Sequence, residues 1–352
     1  MRAENQPPPS DQAPGGQAGP AAANRGDAIQ PSKLLTGLTR RNARPSSGQS
    51  DARLGRGNRP NHRLQRSEAL TAWLFILPAL IGFALFYAWP TLRSVSISFT
   101  DWNMLSPARP VGLANYRKLL SDAVFWQSLK ATGVYVLWNI PLQTLLALLL
   151  AVLLQRFSRN SFLRSVVIAP YLLPGVVVGL MGLWMLNPEL GILNAALGWL
   201  GLHTQPFLGS IKQAMPTIAS INTWQYTGYT SLLLYTGMQS IPVSVYEAAR
   251  IDGAQGGRQF FSITLPLLRP VMAFVVITSL IGSFQIFDTI AITTQGGPVN
   301  ATRVIVWYIY EQAFTLYNMG YATAIAVVLF AVLLVVTVVQ LRLFRADSSD
   351  LE

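Results

Sequence analysis

The sequence has no cysteine and only two histidines, His62 and His203. Without cysteine there is no disulfide framework, no thiol nucleophile and no thiolate metal site. The two histidines lie too far apart in sequence to suggest a metal pair. Charge is scarce as well. Asp, Glu, Lys and Arg make up 12% of the chain, against about a quarter in an ordinary soluble domain. Chemistry-bearing motifs are missing in the same way. No G-x-x-x-x-G-K-[ST] run exists, so phosphate binding of the Walker kind is excluded. The pairs Gly256–Gly257 and Gly296–Gly297 lack the following Lys. Neither a G-x-S-x-G elbow nor an H-E-x-x-H helix is present. Catalysis by this chain is therefore rejected, and no catalytic residue, metal or cofactor is expected.

What is abundant is apolar surface, at 51% of residues. It is gathered into six runs long enough to cross a bilayer, near 70–92, 128–153, 164–186, 215–239, 270–293 and 319–341. The fold class expected is all-α: a polytopic membrane protein of six spans. The fourth run is the least apolar, with Asn222, Gln225, Tyr226 and Gly228. Such a helix is stable in a bilayer only if its polar face meets protein or water.

Residues 1–66 contrast with everything after them. They are rich in Pro, Gly, Gln, Asn, Ser and Arg, and the first 69 residues carry eleven Lys and Arg against five Asp and Glu. A segment of that composition buries too little to offset its ordering entropy and is expected to be disordered. It has no apolar h-region of a cleaved signal. No aromatics are interleaved among its arginines, which argues against nucleic acid. Retention in the cytoplasm, with lipid contact near Arg63 and Arg66, is the favoured role. The domain plan is thus a basic tail (1–66), a membrane domain (67–345) and a short C-terminal tail (346–352).

Charge in the connections orients the spans. Arg156, Arg159 and Arg164 join the second and third runs. Arg250, Arg258 and Arg269 join the fourth and fifth, and Arg342 and Arg345 follow the sixth. The third-to-fourth connection has only Lys212 and the fifth-to-sixth only Arg303. Both termini and the 241–270 connection therefore belong on the cytoplasmic side of the cell membrane.

That connection contains Glu247-Ala-Ala-Arg-Ile-Asp-Gly-Ala254 and runs on to Leu265-Pro266-Leu-Leu-Arg-Pro270. Ser244 and Glu247 have the spacing of a capping box, and Gly253 stands where a helix stops in the left-handed conformation. A short helix bounded at both ends is expected there. The pattern Glu-Ala-Ala-x-x-Asp-Gly-Ala, followed by Phe260, Ile263, Leu265-Pro266-Leu267 and Pro270, resembles the loop of permease subunits of bacterial ATP-binding-cassette importers. The form is similar to the carbohydrate-uptake branch, with its maltose and glycerol-phosphate permeases. Trp224 with Gly228, Asn187-Pro-Glu-Leu-Gly-Ile-Leu-Asn194, Phe284-Gln-Ile-Phe-Asp288 and Gly296-Gly-Pro298 extend the resemblance from about residue 70 to 345. It implies that Glu247, Ala248, Ala249, Asp252 and Gly253 contact a cytoplasmic ATPase. It also implies a second homologous permease, two ATP-binding subunits and an extracytoplasmic solute-binding protein. One departure is Gly257, where the family usually carries a large aromatic.

The cargo-facing residues are sought by depth. From Pro216, Asn222 and Gln225 lie about 9 and 14 Å along a helix and Tyr229 about 20 Å. From Lys130, Asn139 and Gln143 lie about 13 and 20 Å along. Amides there match sugar hydroxyls, and Trp224, Tyr226 and Tyr229 can stack on sugar rings. The competing reading of the same amides is hydrogen bonding between helices. Asp288 falls about 27 Å from Pro270, near the outer rim, as a hydrogen-bonding group by an outer gate or as an interface anchor. With no carboxylate at mid-membrane, an ion-coupled carrier is the weaker alternative. A di- or oligosaccharide is the cargo the resemblance favours; glycerol-3-phosphate or a related polyol is the alternative.

Overall fold

The computed structural model describes residues 62–156 and 161–345. The expected tail up to residue 61 and the C-terminal stretch 346–352 lie outside these residues. The chain divides into two units, Met1–Glu68 and Ala69–Glu352, and the account below concerns the second. The first described helix, α1 (His62–Phe83), begins inside the last residues of the expected tail.

Helices occupy all six expected places. After α1, a π-turn at Ala84–Ala88 leads into α2 (Trp89–Ile97). Pro90 lacks the N–H that would bond the Phe86 carbonyl, and its ring crowds that carbonyl, so the wider turn falls just before it. A two-residue hairpin, β1 (Thr100–Asp101) with β2 (Arg109–Pro110), is followed by α3 (Ala114–Ser121). Asn115 Nδ2 holds the hairpin by donating to the Ser98 and Thr100 carbonyls, both at 2.9 Å. Then come α4 (Ala123–Arg156) and the third place, which is broken. There α5 (Ser161–Ile168) and a 3₁₀ turn, Ala169–Leu172, give way at Pro174 to α6 (Gly175–Met185), with a 90° bend. A proline disfavours the α conformation in the residue before it, and Leu173 is indeed extended.

Beyond the bend lie α7 (Ile192–Trp199) and α8 (Ala214–Gln239). The connection after α8 carries α9 (Val243–Ile251), the single turns α10 (Gly257–Gln259) and α11 (Leu265–Leu267), and a π-turn at Phe260–Thr264. The fifth place is α12 (Arg269–Phe284), interrupted at Gln285–Phe287 and resumed as α13 (Asp288–Thr293). After α14 (Ile305–Tyr310) the sixth is α15 (Met319–Arg345).

The count of spans differs from the expectation. Four described stretches are long and apolar enough to cross a membrane: Thr71–Ile97, Ala123–Arg156, Arg269–Thr293 and Met319–Leu343. The bent α5–α6 pair makes a fifth if its two halves form one broken span. The remaining place, the fourth, is α8, long enough at 26 residues but too polar to qualify on composition.

The reason is burial. Fourteen residues of α8 are buried, mostly against α4 and next against the Ala169–Leu172 turn. Two apolar clusters hold α4 and α8 together. One joins Tyr135, Met215, Ile218 and Ile290; the other joins Ala147, Ala151, Leu154, Leu234, Met238 and Leu268. Between them along both helices lies a polar waist. Gly228 allows the closest approach, because a Cβ there would collide with the Val167 carbonyl of α5.

A third cluster, with Leu119, Phe125, Ile305, Tyr321 and Ile325, packs α3, α4, α14 and α15 together. At its edge, Tyr308 and Tyr321 each donate to Asp122 Oδ2 at 2.6 Å, and the Val124 N–H donates to Oδ1 at 2.9 Å. Burial works to raise the Asp122 pKa. The two tyrosine hydroxyls and the N–H groups of Val124 and Phe125 outweigh it, holding the carboxyl below its ordinary range.

Candidate functional site: a helical handle and a polar cavity

The segment between α8 and α12 folds as a capped helix, with one revision. α9 starts at Val243, next to Pro242, and no side chain caps it. Ser244 is already inside the helix, so the expected Ser244–Glu247 capping box does not form. The far end behaves as its residues suggest. Gly253 has φ +77°, its N–H donates to the Arg250 carbonyl at 3.1 Å, and the Ala254 N–H donates to the Ala249 carbonyl at 2.8 Å. These two bonds close the helix as a Schellman motif, which needs a residue free to take positive φ. Gln259 Nε2 donates to the Tyr246 carbonyl at 3.3 Å, tying α9 to the turn that follows.

α9 presents Glu247, Ala248, Arg250, Ile251 and Asp252 outward. Ala249, expected in an external contact, is 6% exposed and faces the chain's own interior. Ile251 is 87% exposed and Val243 69%. Sequence reasoning passed over these two, although large apolar residues at both ends of a short connecting helix are themselves a signal. Beside α9, the position of Gly257 opens onto free space, since a Cβ there meets nothing within 4 Å.

The polar waist contains a cavity of about 270 Å³. Asn139, Gln143, Asn222, Gln225, Tyr226, Tyr229 and Asp288 all line it. On α8 this follows from spacing, because 222, 225, 226 and 229 fall at i, i+3, i+4 and i+7, one helical face. Trp224 does not share that face. Two residues from Asn222 it is turned by about 200°, and it lines a separate, apolar cavity with Met181, Met185 and Ile221.

The amides turn out to be spoken for. Asn139, Gln143, Asn222 and Gln225 are each 5% exposed or less. Asn139 Nδ2 donates to Ser283 Oγ at 3.1 Å, and Thr223 Oγ1 donates to Asn139 Oδ1 at 3.2 Å. Gln143 Nε2 donates to Thr230 Oγ1 at 2.8 Å. Thr289 Oγ1 donates to Asn222 Oδ1 at 3.1 Å, and Gln225 Nε2 donates to the Leu173 carbonyl at 3.1 Å. These bonds run between helices, the second reading of the amides. They set the shape of the wall, and its accessible surface comes from other side chains.

Those are aromatic and acidic. Tyr226 is 40% exposed. Tyr171 stacks on Tyr229 with ring centroids 4.5 Å apart, and the Tyr226 ring meets Tyr171 at 5.8 Å. Tyr171 and Phe287 were missed in the sequence. Each sits at a break, the Pro170–Pro174 turn and the Gln285–Phe287 interruption, and breaks in a span are where irregular backbone lines a cavity. Of the two readings of Asp288, a polar group on the pathway is the one the fold favours, for the break before α13 turns it onto the cavity wall beside Gly175.

The family described as binding-protein-dependent transport system inner membrane component matches residues 143–346, which include the α9 connection and all of the cavity lining except Tyr135 and Asn139. The chain belongs to that family. It is 35% identical over 297 residues to the trehalose/maltose transport system permease protein MalF of Thermococcus litoralis, covering 82% of this chain and 99% of that protein. It is 34% identical over 288 residues to the sulfoquinovosyl glycerol transport system permease protein SmoG of Agrobacterium fabrum, covering 81% and 94%. Among solved structures, a bacterial ABC transporter involved in the import of the acidic polysaccharide alginate superimposes with a TM-score of 0.69 at 25% identity, covering 82% and 99%. The chain is thus an ABC importer permease, an inner membrane transport component.

Proposed function

We propose that this permease conducts a sugar, a di- or oligosaccharide, through the cavity between α4, α8 and α12. The observation that carries this reading is the wall itself: tyrosine rings open to the cavity, set in a frame of buried amides and hydroxyls. Aromatic faces take up the apolar faces of sugar rings, and neutral donors and acceptors suit hydroxyls. The trehalose/maltose permease among the relatives supports the same class of cargo.

Sugar transport of this kind needs an energy source, and this chain has no nucleotide motif. We assign that role to separate ATP-binding subunits, two per assembly, docked on the exposed side of α9 through Glu247, Ala248, Ile251 and Asp252, with Gly253 setting the end of the handle. A second homologous permease completes the pathway, and an extracytoplasmic solute-binding protein delivers cargo. α9 and both termini lie in the cytoplasm, and the remaining surface meets membrane lipid. Closure of the ATPases moves α9, and through it α8 and α12, whose ends it joins.

The test uses cells carrying the whole assembly. Uptake of radiolabelled trehalose, maltose and cellobiose is measured for wild type, Glu247→Arg and Gly253→Val. Valine at +77° is strained by about 1–2 kcal/mol, enough to displace α9 while leaving the spans inserted. Both variants are expected to reach the membrane at normal levels and to lose more than nine-tenths of uptake, with less ATPase co-purified. Normal uptake by both at normal levels refutes the handle. Transport of none of the sugars by the wild type refutes the cargo class.

A further inference from the structure

We infer that Asp288 is a charge filter: it gives neutral, hydroxyl-rich cargo a strong hydrogen-bond acceptor and turns anionic cargo away. The inference rests on the cavity being the cargo pathway, and it narrows the class of sugar.

The charge balance of the cavity is one-sided. Among the described residues, Asp288 is the only Asp or Glu in its lining, and no Lys, Arg or His lines it. The carboxylate has no hydrogen bond or ion pair among the described residues, and the side chain is exposed rather than buried. An unpaired carboxylate on the wall of a membrane cavity is costly to keep, and such residues mark pathways. Gly175 leaves room for it: a Cβ there would stand 2.6 Å from Asp288 Oδ2 and would push the carboxylate aside.

Several of the amide acceptors on the wall are already engaged. Asn139 Oδ1 is taken by Thr223, Asn222 Oδ1 by Thr289 and Gln143 Oε1 by Asn139. A sugar entering the cavity brings many hydroxyl donors, and Asp288 offers free lone pairs for them. Hydrogen bonds to a charged acceptor are also about twice as strong as neutral ones. A phosphate, sulfonate or uronate meets the opposite situation. It brings acceptors and negative charge to a wall with one negative charge and nothing to neutralise it, so specificity arises from repulsion as much as from attraction.

The purified transporter assembly, in detergent, is titrated by calorimetry with trehalose, maltose and cellobiose, and with trehalose 6-phosphate and cellobiouronate. The expected result is binding of at least one neutral sugar and more than about tenfold weaker binding of the acidic ones. Asp288→Asn removes most of that discrimination while weakening neutral binding about threefold, Asp288→Glu preserves it, and Asp288→Lys inverts it. Tyr229→Ala weakens all sugars alike. If Tyr229→Ala abolishes binding while Asp288→Asn leaves the neutral-to-acidic ratio unchanged, the filter is wrong and the cavity reading stands. If no sugar binds, or Tyr229→Ala has no effect, the cavity reading falls and the filter with it.

Discussion

The helical stretch Thr71–Ile97 and the helix α8 behave in opposite ways. The first is strongly apolar, and not one of its residues is buried within the chain. The second is too polar to qualify as a span by composition, and 14 of its 26 residues are buried. In water the relation runs the other way, with apolar helices inside. In a bilayer the solvent is itself apolar, so hydropathy reports exposure to lipid, and a helix sheathed by its neighbours is free to be polar. The apolar stretch Thr71–Ile97 is therefore surface, and the helix that lines the cavity is the one that looks least like a membrane span.

The largest effect that would break this contrast is steric. A methyl group at Gly228 of α8 has no room against the Val167 carbonyl, and backbone on both sides cannot yield as a side chain can. Gly228→Ala is expected to cost about 3 kcal/mol and to lower both the thermal midpoint in detergent and the amount in the membrane. Gly82→Ala, in the first helix, meets nothing within 4 Å. It should be neutral or stabilise by up to about 1 kcal/mol. Equal tolerance at the two sites would show that α8 is not packed as described.

How much of this was legible follows the same divide. α9 could be located because its signals are local, with a glycine at the helix end and a fixed run of polar residues before it. Even there the start slipped by two residues, since Pro242 with its preset φ can open a helix without help from Ser244. The α8 face of the cavity was legible for a similar reason, because i, i+3, i+4 and i+7 spacing needs only one helix. What escaped was long-range. That Asn139 answers Ser283 and Thr223, rather than a cargo, depends on how three helices are laid together. The interruption before Asp288 was not visible either, because no residue in Gln285-Ile-Phe287 is a breaker by composition. Trp224 was grouped with its neighbours by sequence proximity, against its own helical angle.

A second, smaller test compares two neighbours on α4. Gln143 is 4% exposed and bonded to Thr230 and Ser279, whereas Leu145 is 57% exposed and turned outward. Gln143→Leu makes the helix more apolar, yet it leaves Thr230 and Asn139 short of partners. The expected loss is about 1–2 kcal/mol, from two or three bonds at roughly 0.6 kcal/mol each. Leu145→Ala makes the helix less apolar and is expected to cost less. Chemical denaturation in mixed micelles, read by tyrosine and tryptophan emission, ranks the two. The reverse ranking would mean that hydropathy, rather than fit, governs stability here.

The smallest effect lies outside the spans and depends on pH. Asp122 binds the start of α4 to α14 and α15 through the Tyr308 and Tyr321 hydroxyls. Its folded pKa is depressed below the ordinary 3.8, so the folded state favours the ionised form. The stability this contributes is fully present above pH 3.8 and is lost as pH falls through the lower folded value. Asp122→Asn should lower the thermal midpoint slightly at neutral pH, and the gap between variant and wild type should narrow as pH falls below 3.8. Acid sensitivity of Tyr308→Phe with Tyr321→Phe should resemble that of Asp122→Asn, since the hydroxyls and the carboxylate act as one unit. A gap that widens on acidification would mean that burial, not the two tyrosines, dominates at Asp122. The outer ends of α4 and α15 would then owe their attachment to the apolar cluster around Phe125 and Ile325 alone.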